Sequence, residues 1–404
     1  MGKEHRKQTI AVALLFLFLL TPVMTTSAQA DTTGGILDDA LFNLKVRICM
    51  KLEETPSLVA CVLNTSGIIW MKAYGLTNVY IHKKATADSI YLMGSVSKTV
   101  TAMALMQLYD QKKIGLDDNI STYLPFDLKN PQYPTINITV RMLLAHQTSL
   151  GDYQHYKNLV YYFPLIQNRT QWIKERLIPG QPLYRPENWM DYPPGANCTY
   201  SNMGYIIAAL LVERITGLSL EDYCQSSIFT PLCMNHTSFA IDDLDRSQMA
   251  PPNFHLFDGF YLPLFNYDTK CLDACGGLRT TASDLSHFLI VHMNNGVWNG
   301  VRIINASTLS LMHSIQYPNS TQTFYGWPLH HGLGWIQLNI SGDRWEGYNG
   351  GAIGYACNMM IYEATNTGVI MLQNGQFKRA GLVITPHQRI LAFVDLGYLL
   401  LQKA

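Results

Sequence analysis

Charge is scarce in this chain. Only 14% of its 404 residues are Asp, Glu, Lys or Arg, and 29 basic side chains balance 29 acidic ones. That balance gives nucleic acid or an anionic surface no electrostatic hold. Cys-x-x-Cys is absent and the 12 histidines are scattered, so a zinc site is not expected, and the chemistry read below requires no metal or organic cofactor. No Gly-x-Ser-x-Gly occurs, which removes the nucleophile elbow of the α/β-hydrolases. Long charge runs, low-complexity segments and internal repeats are also missing. Beyond the N-terminal 30 residues, no apolar run approaches the roughly 20 residues of a spanning helix. With 48% hydrophobic residues, what remains is an ordinary globular chain, long enough for one large core or for two lobes sharing one.

The N-terminus reads as an export signal. Lys3, Arg6 and Lys7 precede an unbroken apolar run from Ile10 to Leu20, and Ala28-Gln29-Ala30 supplies a small-x-small cleavage pattern. Residues 1–30 are expected to be removed and the mature chain to start near Asp31, in a secreted or extracytoplasmic location. Left uncleaved, the segment would anchor the chain to a membrane. Asn64, Asn119, Asn137, Asn168, Asn197, Asn235, Asn305, Asn319 and Asn339 each open an Asn-x-Ser/Thr sequon, which fits a glycosylating secretory host. Eight cysteines in an exported chain suggest disulfides. Eight cysteines allow 105 pairings; the close candidates are Cys224 with Cys233 and Cys271 with Cys275.

Helical spacing runs from Ile36 to Leu52. Leu58–Leu63 and Ile68–Tyr74 flank the turn residues 64–67 and predict a hairpin. An apolar helix follows Ser95 as far as about Gln111. Residues 120–290 are rich in helical and turn signals, including Val140–Leu144 and Gly204–Ile215. Strand signals return at Leu333–Ile336, Cys357–Tyr362 and Gly368–Leu372, and a last helix is expected over Pro386–Leu401. The order predicts an α+β fold: a sheet lobe made from both chain ends (about 31–118 and 290–404) with an inserted helical lobe (about 119–289) and a cleft between them.

Ser95-Val96-Ser97-Lys98 stands at the mouth of the apolar helix. A hydroxyl and an amine three residues apart share a helical face, so the amine can take the hydroxyl's proton and activate it as a nucleophile. At a helix N-terminus, serine by default caps the helix. Tyr200-Ser201-Asn202, on a loop after Pro193-Pro194-Gly195, shifts the reading towards catalysis. A phenol and an amine with similar unperturbed affinities for a proton can share one and act as base, then acid. Asn202 is placed to bridge Lys98 and a substrate amide or carbonyl.

Leu92–Thr99, Lys113–Asp118, Tyr123-Leu124-Pro125, Leu143–Leu150, Pro194–Asn202, Cys275–Leu285 and Gly332–Trp335 follow one another as an ordered set. Together they resemble the serine β-lactamase-like superfamily, in the branch of class C β-lactamases, D-Ala-D-Ala carboxypeptidases, D-aminopeptidases and related esterases. The likeness runs from about Ile36 to the C-terminus. It implies a transpeptidase-like fold with an antiparallel sheet flanked by helices, Ser95 as the acylated nucleophile, Lys98 and Tyr200 as general bases, and Asn202 as an orienting residue. His146, within Leu143–Leu150, is expected to fix a turn, and His330-His331 to be solvated or ligand-adjacent surface without metal. Trp189 and the tyrosine-rich 152–162 stretch are candidates for lining the cleft.

The third motif departs from the pattern. Where relatives carry Lys-Thr-Gly or His-x-Gly, this chain reads Gly347-Tyr348-Asn349-Gly350-Gly351. Gly351 still supplies a backbone N–H for an oxyanion, beside that of Ser95. Tyr348 donates a hydrogen bond but brings no positive charge; Arg344 is a nearby cation without a counterpart in the family pattern. The resulting expectation is a secreted serine hydrolase acting on ester, amide or peptide bonds of a small-molecule or peptide substrate. A catalytically silent binding protein of the same fold, and a true β-lactamase or D-Ala-D-Ala carboxypeptidase, are the alternatives.

Overall fold

The computed structural model describes residues 32–152, 168–257, 260–263, 265, 266, 268, 272–324, 326–340, 342–375 and 396–404. The N-terminal segment expected to direct export, residues 153–162 of the tyrosine-rich stretch, Cys271, and the first part of the last expected helix lie outside them; residues 396–401 are helical. The chain divides into two units, residues 1–45 and 46–404. Helix α1 (Thr32–Leu52) accounts for the described part of the first and runs on to Leu52.

Strands β1 (Ser57–Asn64) and β2 (Gly67–Asn78) form the expected hairpin, followed by β3 (Lys83–Lys84) and β4 (Tyr91–Leu92). Helix α2 (Ser97–Asp110) comes next, then α3 (Val140–Leu144), α4 (Arg169–Leu177), α5 (Asn202–Thr216) and α6 (Leu220–Cys224). This middle region also holds a hairpin of β5 (Asn253–Phe257) and β6 (Phe260–Pro263), and β7 (Arg279–Thr280), which pairs with β4. It is therefore mainly rather than wholly helical. Helix α7 (Ala282–Met293), β8 (Val297–Trp298), β9 (Val301–Arg302) and α8 (Ala306–His313) lead to the closing strands. These are β10 (Thr323–Phe324), β11 (Trp327–His331), β12 (Ile336–Ile340), β13 (Asp343–Ala352), β14 (Tyr355–Tyr362) and β15 (Thr367–Gln373).

Both chain ends build one antiparallel nine-stranded sheet, in the order β10-β11-β12-β13-β14-β15-β1-β2-β3. The join is β15 against β1, in register from Leu58↔Gln373 to Leu63↔Gly368. β14, β15 and β1 are buried along nearly their whole length, on both faces, which is why their sequences are apolar without alternation. α7 packs across β1 and β15; a Cβ on Gly368 would lie 2.7 Å from Leu63 and 3.0 Å from Leu289, so only glycine lets the helix approach this closely. α2 is buried from Ser97 to Leu108 and packs on α5. The Leu333–Trp335 run, expected as strand, is instead a turn. Gly334 (φ 72) crosses α2 there, where a Cβ would come 2.2 Å from that of Ala102.

Among the described residues no disulfide is formed, and Cys271 lies outside them. Cys224, Cys233 and Cys275 are free thiols. Cys224 is wholly buried at the end of α6, whereas Cys233 is exposed on a left-handed turn (φ 53), so the two face different surroundings. The Cys275 thiol is buried and donates to the Leu272 carbonyl at 3.2 Å. Burial pushes it up to about 12, which keeps it an inert thiol.

Candidate active site

Ser95 sits in a single 3₁₀ turn, Gly94–Val96, that feeds directly into α2. It does not cap the helix: the capping position is Val96, and no side-chain cap is made. Its hydroxyl points elsewhere. Tyr200 Oη lies 2.5 Å from Ser95 Oγ, and Lys98 Nζ donates to the same oxygen at 3.1 Å. Ser95 is the one part-exposed residue in the stretch from Ile90 to Leu108.

Lys98 is fully buried. A buried cation is tolerated only when its donors are matched, and here they are. Besides Ser95, Nζ donates to Asn202 Oδ1 at 2.7 Å and to the Cys275 carbonyl at 2.6 Å. Three acceptors answer the three N–H groups of an ammonium. The π-helical turn Asp273–Gly277 that offers this carbonyl is fastened to α2: Thr101 donates to Ala274 O at 2.7 Å, and Leu278 N–H to Ser97 Oγ at 3.0 Å. The sequence analysis read Cys275–Leu285 only as a motif; its first residue turns out to aim the lysine.

Asn202 opens α5 directly after Ser201, whose side chain caps that helix. Asp152, which was not singled out from the sequence, holds both. Its Oδ2 accepts from Asn202 N–H at 2.7 Å and Asn202 Nδ2 at 2.9 Å, and its Oδ1 from Ser201 Oγ and Met203 N–H at 3.3 Å each. A carboxylate at a helix N-terminus satisfies orphan N–H groups and meets the positive end of the dipole. It also fixes the amide of Asn202 with its oxygen towards Lys98.

The third motif lies on β13, against the nucleophile turn. A Cβ on Gly94 (φ 51) would fall 2.7 Å from Gly351 O and 2.9 Å from Gly351 N, and one on Gly350 would be 2.0 Å from Met93 O and 3.0 Å from Ser95 N. Only glycine at 94 and 350 allows this contact. It brings the Ser95 and Gly351 backbones to one spot, as a two-donor oxyanion site requires.

A family model described as β-lactamase matches residues 45–392. The chain belongs to the β-lactamase family. It is 25% identical over 294 residues to penicillin-binding protein 4 of Amycolatopsis lactamdurans, covering 72% of this chain and 73% of that one. Among solved structures, it matches D-amino acid amidase from Ochrobactrum anthropi SV3 with a TM-score of 0.68 at 19% identity, over 89% of this chain and 98% of the other. A class C β-lactamase matches with a TM-score of 0.67 at 18% identity, over 90% and 97%. These likenesses establish the shared fold; membership of the family makes the chain part of a serine hydrolase superfamily.

The structure brings Ser95, Lys98, Tyr200, Asn202, Gly350 and Gly351 together. Tyr348 is buried at 2% exposure, with its Oη 3.2 Å from His146 Nε2. Burial, with Tyr200, Tyr205 and Cys198 nearby, raises it well above the ordinary phenol range, so it remains a donor. Asn349, next along the strand, is half-buried and paired in register with Asn358; alternation turns its side chain to the opposite face from Tyr348. Arg344 pairs with Glu363 at 3.0 Å, each about half exposed, and is spent there.

Three minor expectations change. His146 does more than fix a turn: its Nε2 lies 3.2 Å from Tyr348 Oη, and its Nδ1 accepts from Ser201 N–H at 3.1 Å. His331 is not solvated surface but 3% exposed, edge-on to His146 at 4.9 Å between centroids, because β11 carries it inward. Trp189 is buried at 5%, with its indole N–H on the Leu177 carbonyl at 3.4 Å, so it belongs to the packing of α4.

Proposed function

We propose that the protein is an exported hydrolase that forms an acyl-enzyme at Ser95 on neutral esters and amides, including amides of D-amino acids. The observation that carries this reading is the Ser95 oxygen, gripped at once by Tyr200 at 2.5 Å and Lys98 at 3.1 Å beside the Gly351 backbone. Tyr200 Oη takes the Ser95 proton as Oγ attacks the substrate carbonyl carbon. The carbonyl oxygen becomes an oxyanion facing the N–H groups of Ser95 and Gly351. Tyr200 returns the proton to the departing alcohol or amine, the C–O or C–N bond breaks, and an ester to Ser95 remains. Water, deprotonated by the same tyrosine, then releases the acid and restores the Ser95 hydroxyl.

Substrate charge is where Tyr348 matters. Lys98 is fully engaged, Arg344 is paired with Glu363, and His146 is held well below its usual range by burial and by the neighbouring His331 and Lys98. Among the described residues around Ser95, no cation is left to pair a substrate carboxylate. β-Lactams and D-Ala-D-Ala peptides carry one beside the scissile bond; simple esters and amino-acid amides do not. A fluorophosphonate is expected to label the wild type on the peptide containing Ser95, and a short-chain nitrophenyl ester to turn over well ahead of a chromogenic cephalosporin. Absence of the Ser95 adduct favours a silent binding protein instead; a faster cephalosporin overturns the substrate assignment.

Export rests on the N-terminal signal pattern and on the placement of the sequons. Eight of the nine asparagines (64, 137, 168, 197, 235, 305, 319 and 339) are exposed, and Asn119 is half-buried. Expression in a glycosylating secretory host is expected to release a chain starting near Asp31 whose mass drops on endoglycosidase treatment. An intact N-terminus on an unglycosylated product would count against export.

A further inference from the structure

We propose that Gln322 and His331 are positioning residues: from the segment that leads into β11 they hold the loop carrying Tyr200, and so set its oxygen against Ser95. The inference rests on the acyl-enzyme reading of Ser95 and Tyr200.

Ser95 and Lys98 are three residues apart at the start of α2, so local geometry already fixes one against the other. Tyr200 has no such support. It arrives on a loop, and its 2.5 Å contact with Ser95 Oγ depends on what holds the chain on either side. One hold is the turn after α3: Thr199 N–H donates to His146 O at 2.8 Å, and Ser201 N–H to His146 Nδ1 at 3.1 Å. The other comes from the segment between α8 and β11. Gln322 Nε2 donates to the Cys198 carbonyl at 2.5 Å, and Tyr317 Oη to the Ala196 carbonyl at 2.8 Å. Tyr200 thus stands between a carbonyl tied two residues before it and an N–H tied one residue after it.

The orientation of Gln322 follows from its partners. A backbone carbonyl can only accept, so the amide nitrogen faces Cys198 and Oε1 faces His331. His331 Nε2, 2.9 Å from that oxygen, therefore carries the imidazole hydrogen and donates it. Burial and the neighbouring His330 push His331 down to about 4, so near neutral pH the ring holds this one hydrogen. The Gln322 backbone is tied as well: its N–H donates to Ser320 Oγ at 3.2 Å, and its carbonyl accepts from Leu329 N–H at 3.0 Å. Glutamine is among the side chains with most rotamer freedom to lose. Bonded at both ends of its amide, Gln322 becomes a spacer of fixed length. Behind it, His331 is 3% exposed, its carbonyl accepts from Gln316 N–H at 2.9 Å, and its ring meets His146 edge-on at 4.9 Å. The two histidines join the holds on both sides of Tyr200 into one packed unit.

A double-mutant cycle on ester hydrolysis tests the assignment. Gln322→Met keeps the length and removes both amide bonds; Gln322→Glu keeps an acceptor for His331 but turns an oxygen towards the Cys198 carbonyl. Each is expected to lower kcat about 10- to 100-fold with KM little changed, since a misplacement of about 1 Å costs on the order of 100-fold. His331→Phe keeps a ring in place and drops one hydrogen bond, for an expected loss in kcat of about 3- to 10-fold. In a Tyr200→Phe background none of the three should lower kcat further, because all act through that tyrosine. Where turnover there is too slow to follow, the rate of fluorophosphonate labelling at Ser95 gives the same comparison. Equal losses in both backgrounds, a change confined to KM, or a kcat within twofold of wild type in both Gln322 variants overturns the proposal. Such results on a wild type that labels at Ser95 leave the acyl-enzyme reading standing; a wild type that fails to label sinks both. Gln322→Glu, almost identical in shape, keeps the test valid if Gln322→Met folds poorly.

Discussion

With Ser95 replaced by alanine, or Lys98 by methionine, hydrolysis is expected to fall by a factor on the order of 10⁴–10⁶, and the double variant to be no worse than the poorer single one. The three groups act as a unit: Lys98 and Tyr200 have nothing to activate without the serine hydroxyl, and the hydroxyl loses a donor and its orientation without Lys98. The methionine variant should remain folded. Met matches the length of the lysine stem and no longer buries an ammonium. Against that gain, Asn202 Oδ1 and the Cys275 carbonyl each lose a donor, costing about 1–3 kcal/mol apiece. Circular dichroism and thermal melts check the fold, and steady-state rates check the chemistry. Multiplying losses in the double variant, or a Lys98→Met enzyme retaining a tenth of wild-type kcat, would remove Lys98 from the proton path.

Asp152→Ala is the second large effect, and its first expression is in stability. Four donors lose their acceptor in a site where water enters poorly: two N–H groups of the first turn of α5, the Ser201 hydroxyl and the Asn202 amide. Stranding buried donors of this kind is expected to destabilise the fold by roughly 3–5 kcal/mol. Activity should fall as well, because Asn202 is then free to swing its oxygen away from Lys98. Urea unfolding measures the first effect and kcat on a neutral ester, below the melting range, the second. A loss of stability under about 1 kcal/mol would show that Asp152 is solvated and does not organise the site.

Much of the site was legible before the fold. Ser95 and Lys98 are three residues apart on one helix, so helical geometry alone makes them neighbours. Tyr200 and Asn202 sit at the start of another helix, marked by a Pro-Pro-Gly turn on one side and an apolar run on the other. The hairpin of β1 and β2 could be read from β-branched runs around turn residues. The Gly-rich third motif kept its backbone function even though its cationic position had become Tyr348.

Other parts gave no local signal. Cys275 serves through its carbonyl, and a carbonyl is common to every residue type. Asp152 is an unremarked acid, 50 residues from the asparagine it holds. Spacing suggested pairing Cys224 with Cys233, but an even count says nothing about facing directions, and the two differ completely in exposure. Leu333–Trp335 has strand composition, but packing against α2 bends it at Gly334. His331 looked exposed beside a second histidine, yet strand alternation turns one inward and leaves the other part-exposed.

By itself, then, the sequence determined the family, the candidates for the nucleophile and its three partners, and the loss of a charge at position 348, because each depends on residue type at short spacing. The tertiary structure alone decided what surrounds that position. His146 and Tyr348 are 202 residues apart, on a turn and on a strand that meet only when both chain ends complete the sheet. No periodicity links two such positions; a donor becomes part of the site only when folding sets its hydrogen within reach of the right oxygen.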